Sequence, residues 1–132
     1  MNESESKSPS VECSLSGPGS IAEALAAARA FGGDARLCIV IEELVANIFE
    51  HGALPADAAV TMRLRREGQN VVLILEDSGT PFDLTGSAGA ANIPERGGGA
   101  GIRIVKAWAQ SLSYRSEGGI NRLVVSIPAG RP

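Results

Sequence analysis

The chain has 132 residues, 44% of them hydrophobic and 20% charged, with a net charge of -3. That length and balance suit one soluble globular domain with a real core. They exclude a membrane-spanning helix, since no apolar run approaches the roughly 20 residues one needs. They also argue against direct nucleic-acid binding, which leans on clustered Lys and Arg that this sequence lacks.

Residues 1–10, MNESESKSPS, are polar and lack the apolar stretch of a secretory signal. They read as a disordered leader, leaving 11–132 as a single domain. Residues 11–15 alternate partly and predict an edge strand. Cys13 and Cys38 sit in apolar surroundings without metal-ligand spacing, so they read as two buried free thiols in a reducing cytoplasm. Ser20 is placed to cap a helix through IAEALAAARAF, with Glu23 completing a capping box, and Gly32-Gly33 stops it. Asp34 can cap a second helix that runs to about His51 and ends at Gly52.

Residues 58–66 alternate as a strand does, and 67–70 form a turn. VVLILE is then nearly continuous in apolar character, which predicts a strand buried on both faces and, with its predecessor, a hairpin. Residues 77–98 carry no periodicity, and a loop of that length in a small domain is usually functional. Helical spacing returns in GIRIVKAWAQS, with Ile102, Val105 and Trp108 or Ala109 on one side. LSYRSE, a turn at Gly118-Gly119 and NRLVVSIP make a second hairpin. The order predicts an α+β, two-layer sandwich: a mixed, mostly antiparallel sheet covered on one face by helices.

One helix carries an unexpected line. In IEELVANIFEHG, residues Leu37, Val40, Ile41, Leu44, Val45 and Ile48 share a broad apolar arc at about 100° per residue. Glu42 points away toward solvent, whereas Glu43, Asn47 and His51 border the arc on its other margin. Polar groups at such a margin are tolerable if they face a pocket. Glu43 and Asn47 lie one turn apart, about 6 Å. Asn47 can offer a carbonyl oxygen to Mg²⁺, and Glu43 can accept a proton from a nucleophile beside the metal. A solvated stripe, with His51 as a helix-end group, is the plainer alternative.

Two further elements follow. Asp77 ends the buried strand and precedes Gly79. Asp77 can accept a hydrogen bond from an exocyclic amine such as adenine's, and Gly79 lets a base approach the backbone. Arg96-Gly97-Gly98-Gly99-Ala100-Gly101 leads into a helix, where freed N–H groups and the helix dipole suit a phosphate. It is neither a Walker A loop nor a dinucleotide fingerprint.

Taken in order, E-x-x-x-N-x-x-x-H on a helix, D-x-G after a strand and G-x-G opening a helix resemble the ATP-binding domain of the GHKL (Bergerat-fold) superfamily. D-S-G-T-P-F-D, G-G-G-A-G-I-R-I-V-K and Y-R-S-E-G-G-I-N-R-L-V-V-S-I-P most resemble its small bacterial anti-sigma-factor serine/threonine kinases. The resemblance spans residues 15–128. It implies Glu43 as general base, Asn47 as the Mg²⁺ ligand, and Asp77 with Gly79 at adenine. It implies Gly99 and Gly101 under the phosphates, with Gly98, Ala100, Ile102, His51 and Phe82 also lining the ATP site. Arg96 resembles an Arg that contacts the γ-phosphate, with one extra glycine between it and the turn. Asn121 stands where the superfamily often has Thr near the adenine. Residues 84–98 match a short ATP lid.

The implied activity is phosphorylation of a serine on an anti-sigma-factor antagonist, using ATP and Mg²⁺. The implied partners are that antagonist, a sigma factor and a second copy of the chain, all in the cytoplasm. Two other readings stay open: a nucleotide-dependent binding module without phosphotransfer, and a detached histidine-kinase catalytic domain. No phosphoacceptor-histidine hairpin is read ahead of the domain, and the P-F-D phrase and compact lid also favour the serine-kinase reading.

Overall fold

The computed structural model describes residues 10–51, 54, 58–81 and 98–128, and their side chains except at 18, 51 and 98–102. Five strands form one sheet: β1 (Ser10–Leu15), β2 (Val60–Glu67), β3 (Asn70–Asp77), β4 (Ser111–Glu117) and β5 (Ile120–Pro128), in the order β1-β2-β3-β5-β4. The expected sandwich holds, and every described pairing is antiparallel. Two of the pairings are hairpins. The β4–β5 turn uses Gly118 and Gly119 at φ +59° and +82°, the left-handed conformations that a tight two-residue connection needs. Among the described residues, three α-helices accompany the sheet: α1 (Ile21–Ala30), α2 (Ala35–His51) and α3 (Gly98–Trp108). Helix α1 packs on β1 and on α2, and α2 packs on α3. Among the described residues, no helix is long and apolar enough to cross a membrane.

The alternation of the strands decides where the core lies. Leu15, Val60, Met62, Leu64, Val71, Leu73, Leu75, Leu123, Val125 and Ile127 all turn to the helices. Opposite them, Leu37, Val40, Ile41, Leu44 and Val45 of α2 are buried, as the predicted arc requires. Each such side chain contributes about 1.5–3 kcal/mol of burial. Strand β3 is buried on both faces, as its continuous apolar run predicts. Its outer residues Val72 and Ile74 lie opposite Arg65 and Arg63 of β2, whose aliphatic stems can cover them. The charged heads join in pairs across that face: Arg63 with Glu12 and Glu76, and Arg122 with Glu76.

Three local expectations are corrected. Ser20 does not make a capping box. It has helical φ and ψ (-78°, -1°) at the end of a 3₁₀ turn, Pro18–Ser20, so its hydroxyl donates back to Gly17 O at 2.6 Å. Helix α3 begins at Gly98, three residues before the expected start. Val105 and Trp108 anchor it on the core, and tertiary packing offsets the poor propensity of its glycines. Cys13 and Cys38 are free, but half-buried rather than fully buried. Asp34 does cap α2 as predicted, accepting from Leu37 N–H at 3.1 Å.

Candidate functional site

The inward face of the sheet changes character at one end. On β3, Val71, Leu73 and Leu75 face the helices, and Asp77 is the next residue in that alternation. On β5, the same series runs Ile127, Val125, Leu123 and then Asn121. Asp77 and Asn121 are direct partners in the β3–β5 register, and Ser116 is the partner of Asn121 in the β4–β5 register. Directly opposed residues share a face. A row of three polar side chains therefore crosses the sheet where the apolar stripe stops.

That row is hydrogen-bonded throughout. Asp77 Oδ1 accepts from Gly79 N–H at 2.8 Å and from Asn121 Nδ2 at 2.9 Å. The same Asn121 nitrogen donates to Gly79 O at 2.9 Å. Ser116 Oγ donates to Asn121 Oδ1 at 2.7 Å. Asp77 and Asn121 are buried, at 9% and 3% exposure, whereas Ser116 lies at the exposed rim. The Gly79 bond makes a local turn that swings the chain off the strand. Among the described residues, both donors to the carboxylate fall on Oδ1 and none on Oδ2, an acceptor that an incoming N–H could use.

The second group lies on α2. Asn47 is only 4% exposed, and its Nδ2 donates to the Glu43 carbonyl one turn back at 2.7 Å. A carbonyl only accepts, so the amide nitrogen must face it. The Asn47 Oδ1 therefore turns away from its own helix backbone. A buried neutral oxygen so directed is a suitable donor for a hard cation. Glu43 is half-buried beside it and Glu42 is exposed, as the predicted arc requires. Among the described residues, no cluster of three His, Cys, Asp or Glu side chains forms a metal centre by itself.

The third predicted element enters α3. Gly98, Gly99, Ala100, Gly101 and Ile102 form its first turn rather than a loop before it. The first four N–H groups of a helix have no intrahelical acceptor, so those of Gly98, Gly99, Ala100 and Gly101 suit an anion. Of the other expected residues, Phe82, Arg96 and most of the 84–98 lid lie outside the described residues, as does the side chain of His51. The structure thus joins Asp77, Gly79 and Asn121 directly, and Glu43 with Asn47 through the helix backbone. Ser116 was missed from sequence. It was nonetheless detectable, because a two-residue turn at Gly118-Gly119 fixes it opposite Asn121.

Outside the two groups, Cys13 is a half-buried free thiol. Burial pushes its thiol above the ordinary value, helped by the carboxylates of Glu23 and Glu12.

A family model for the histidine kinase-like ATPase domain matches residues 15–127 of this chain. Among solved structures, the histidine kinase AdeS of Acinetobacter baumannii has a similar fold, with a TM-score of 0.56. It is 14% identical, and the match covers 92% of this chain and 68% of that one. No curated protein matches.

Proposed function

The chain belongs to the histidine kinase-like ATPase domain family, and from that premise we propose that it is an ATP-dependent protein serine/threonine kinase acting on an anti-sigma-factor antagonist. In this reading the domain also sequesters a sigma factor when it is not engaged with the antagonist. The partners come from the resemblance of D-S-G-T-P-F-D, the glycine run and the final hairpin to that branch of the superfamily. A second copy of the chain belongs to the same reading, and β1, at one end of the strand order, offers it an edge.

The observation that carries the chemistry is the Asn47 amide, oriented by the Glu43 carbonyl one turn earlier in α2. Asn47 Oδ1 would hold Mg²⁺, which when bound neutralises phosphate charge. Glu43 would orient the serine hydroxyl of the protein substrate and take its proton as the oxygen attacks the γ-phosphorus. The new bond joins serine oxygen to phosphorus, the bond to the β-phosphate oxygen breaks, and ADP leaves. Asp77 would accept from the exocyclic amine of adenine, and the first-turn N–H groups of α3 would face the phosphates. Most of the rate gain in such transfers comes from positioning and charge neutralisation.

A histidine-kinase catalytic domain shares this machinery, and the AdeS fold match suits that second reading equally. The test is to incubate the protein with Mg-ATP and candidate antagonists and to identify the phosphorylated residue. Acid-stable phosphoserine, lost in Glu43→Ala with ATP binding intact, is the expected result. Acid-labile phosphohistidine would select the second reading. ATP binding with no transfer to any protein would leave a regulatory binding module.

A further inference from the structure

Asn121 is the most constrained polar side chain in the described structure. Its amide nitrogen faces two acceptors, Asp77 Oδ1 and Gly79 O, each at 2.9 Å. Its amide oxygen accepts from Ser116 at 2.7 Å. Two acceptors on one side and a hydroxyl on the other leave one orientation of the amide that satisfies all three. Such an arrangement fixes the carboxylate it touches. Asp77 Oδ1 is held by Asn121 and by Gly79 N–H, so rotation about the terminal torsion would break both bonds.

We infer that Asn121, backed by Ser116, is the positioning residue that aims the Asp77 carboxylate at the base and so selects a base edge bearing an N–H donor. This rests on the proposed ATP site and names what sets its base preference. A carboxylate oxygen is an acceptor only. Facing an exocyclic amine it gains a hydrogen bond, and facing a carbonyl it meets a second acceptor. Discrimination of that kind requires that the carboxylate cannot turn aside. Without the Asn121 nitrogen, one of the two bonds that fix Asp77 is gone, and Gly79 O loses its donor as well. Ser116 acts one step further back. Removing its hydroxyl frees the Asn121 amide to rotate while leaving the Asn121–Asp77 bond attainable, so its effect is smaller.

The experiment compares dissociation constants for ATP and for purine riboside triphosphate, which has the same ring and phosphates without the exocyclic amine. Calorimetry is run on the wild type, Asn121→Ala, Asn121→Ser and Ser116→Ala, each checked for a cooperative thermal transition. The expected result is about a tenfold loss of ATP affinity in Asn121→Ala with the amine-free nucleotide unchanged. Asn121→Ser, which keeps one donor, should recover part of the selectivity, and Ser116→Ala should lose about threefold of it. A brace that only held the strands together would weaken both nucleotides equally. Equal losses, or no loss, therefore overturn the inference. If Asn121→Ala does not fold, Ser116→Ala at the exposed rim carries the same comparison: unchanged selectivity there overturns the inference and reduced selectivity supports it. A wild-type protein that binds neither nucleotide contradicts the proposed function itself, whereas a wild type that binds ATP with unaltered selectivity in the variants contradicts only the role of Asn121.

Discussion

Asp77 shows how much one side chain's surroundings decide. Its Oδ1 faces two N–H donors, from Gly79 and Asn121. In Asp77→Asn, the amide oxygen must keep that side, so the amide nitrogen replaces Oδ2 toward the base. A donor would then meet the amine of adenine but match the carbonyl of guanine. ATP affinity should fall about tenfold or more by calorimetry, with GTP affinity falling less or rising. Equal losses for the two nucleotides would contradict the base-binding role. Asn47→Ala removes the buried oxygen above the Glu43 carbonyl and should abolish the Mg²⁺ dependence of nucleotide affinity. Retained dependence would place the cation elsewhere. Cys13 supplies a pH-linked prediction. Its thiol is pushed up by burial and by Glu23 and Glu12, so less thiolate is present near pH 8 than in the unfolded chain. Alkylation by iodoacetamide should be slower folded than unfolded, with the gap closing as pH rises past the folded value. Asp77 and Gly79 were readable because D-x-G after an apolar strand has a local meaning. Ser116 carries no such motif, and only the register that the Gly118-Gly119 turn sets reveals it opposite Asn121.

At the scale of elements, the junction between α1 and α2 leaves no room for a side chain at Gly33. A Cβ on Gly33 would collide with Leu37 Cδ2 and lie 3.0 Å from Ala28 O. The leucine can rotate, but the carbonyl belongs to a helix end and accepts from Gly33 N–H at 2.9 Å. Gly33→Ala should therefore cost about 1–3 kcal/mol in thermal or urea unfolding. A neutral effect would mean that the junction yields freely. Asp34→Ala removes an observed cap and should cost about 1 kcal/mol. Ser20→Ala removes only a bond within the preceding turn and should cost less. The composition of S-x-x-E pointed to a cap at Ser20. The Pro18–Ser20 turn decides otherwise, by setting Ser20 into helical torsions before the helix begins. Helix α3 was shortened in sequence for a related reason. Gly and Ala carry no periodicity, so apolar spacing reveals the helix only from Ile102 onward.

For the molecule as a whole, the two faces of the sheet do different work. The helix-facing stripe holds the core, and its polar end forms the row at Asp77. Leu73→Ala, at a fully buried position, should cost about 2–5 kcal/mol. Arg63→Ala breaks pairs that are largely solvent-exposed and should cost less than about 1 kcal/mol. Hydrophobic periodicity made the layers and the strand pairs legible. It could not show which side chains meet across the sheet, because Asp77 and Asn121 are 44 residues apart in sequence.

The central claim is that these two groups serve one nucleotide. The most direct measurement is a titration of the ¹⁵N-labelled protein with Mg-ATP, following backbone amide shifts. The account predicts concerted, saturable shifts at Asp77, Gly79 and Asn121, together with Glu43, Asn47 and the first turn of α3. Shifts confined to one of these groups, or none at saturating nucleotide, would contradict it.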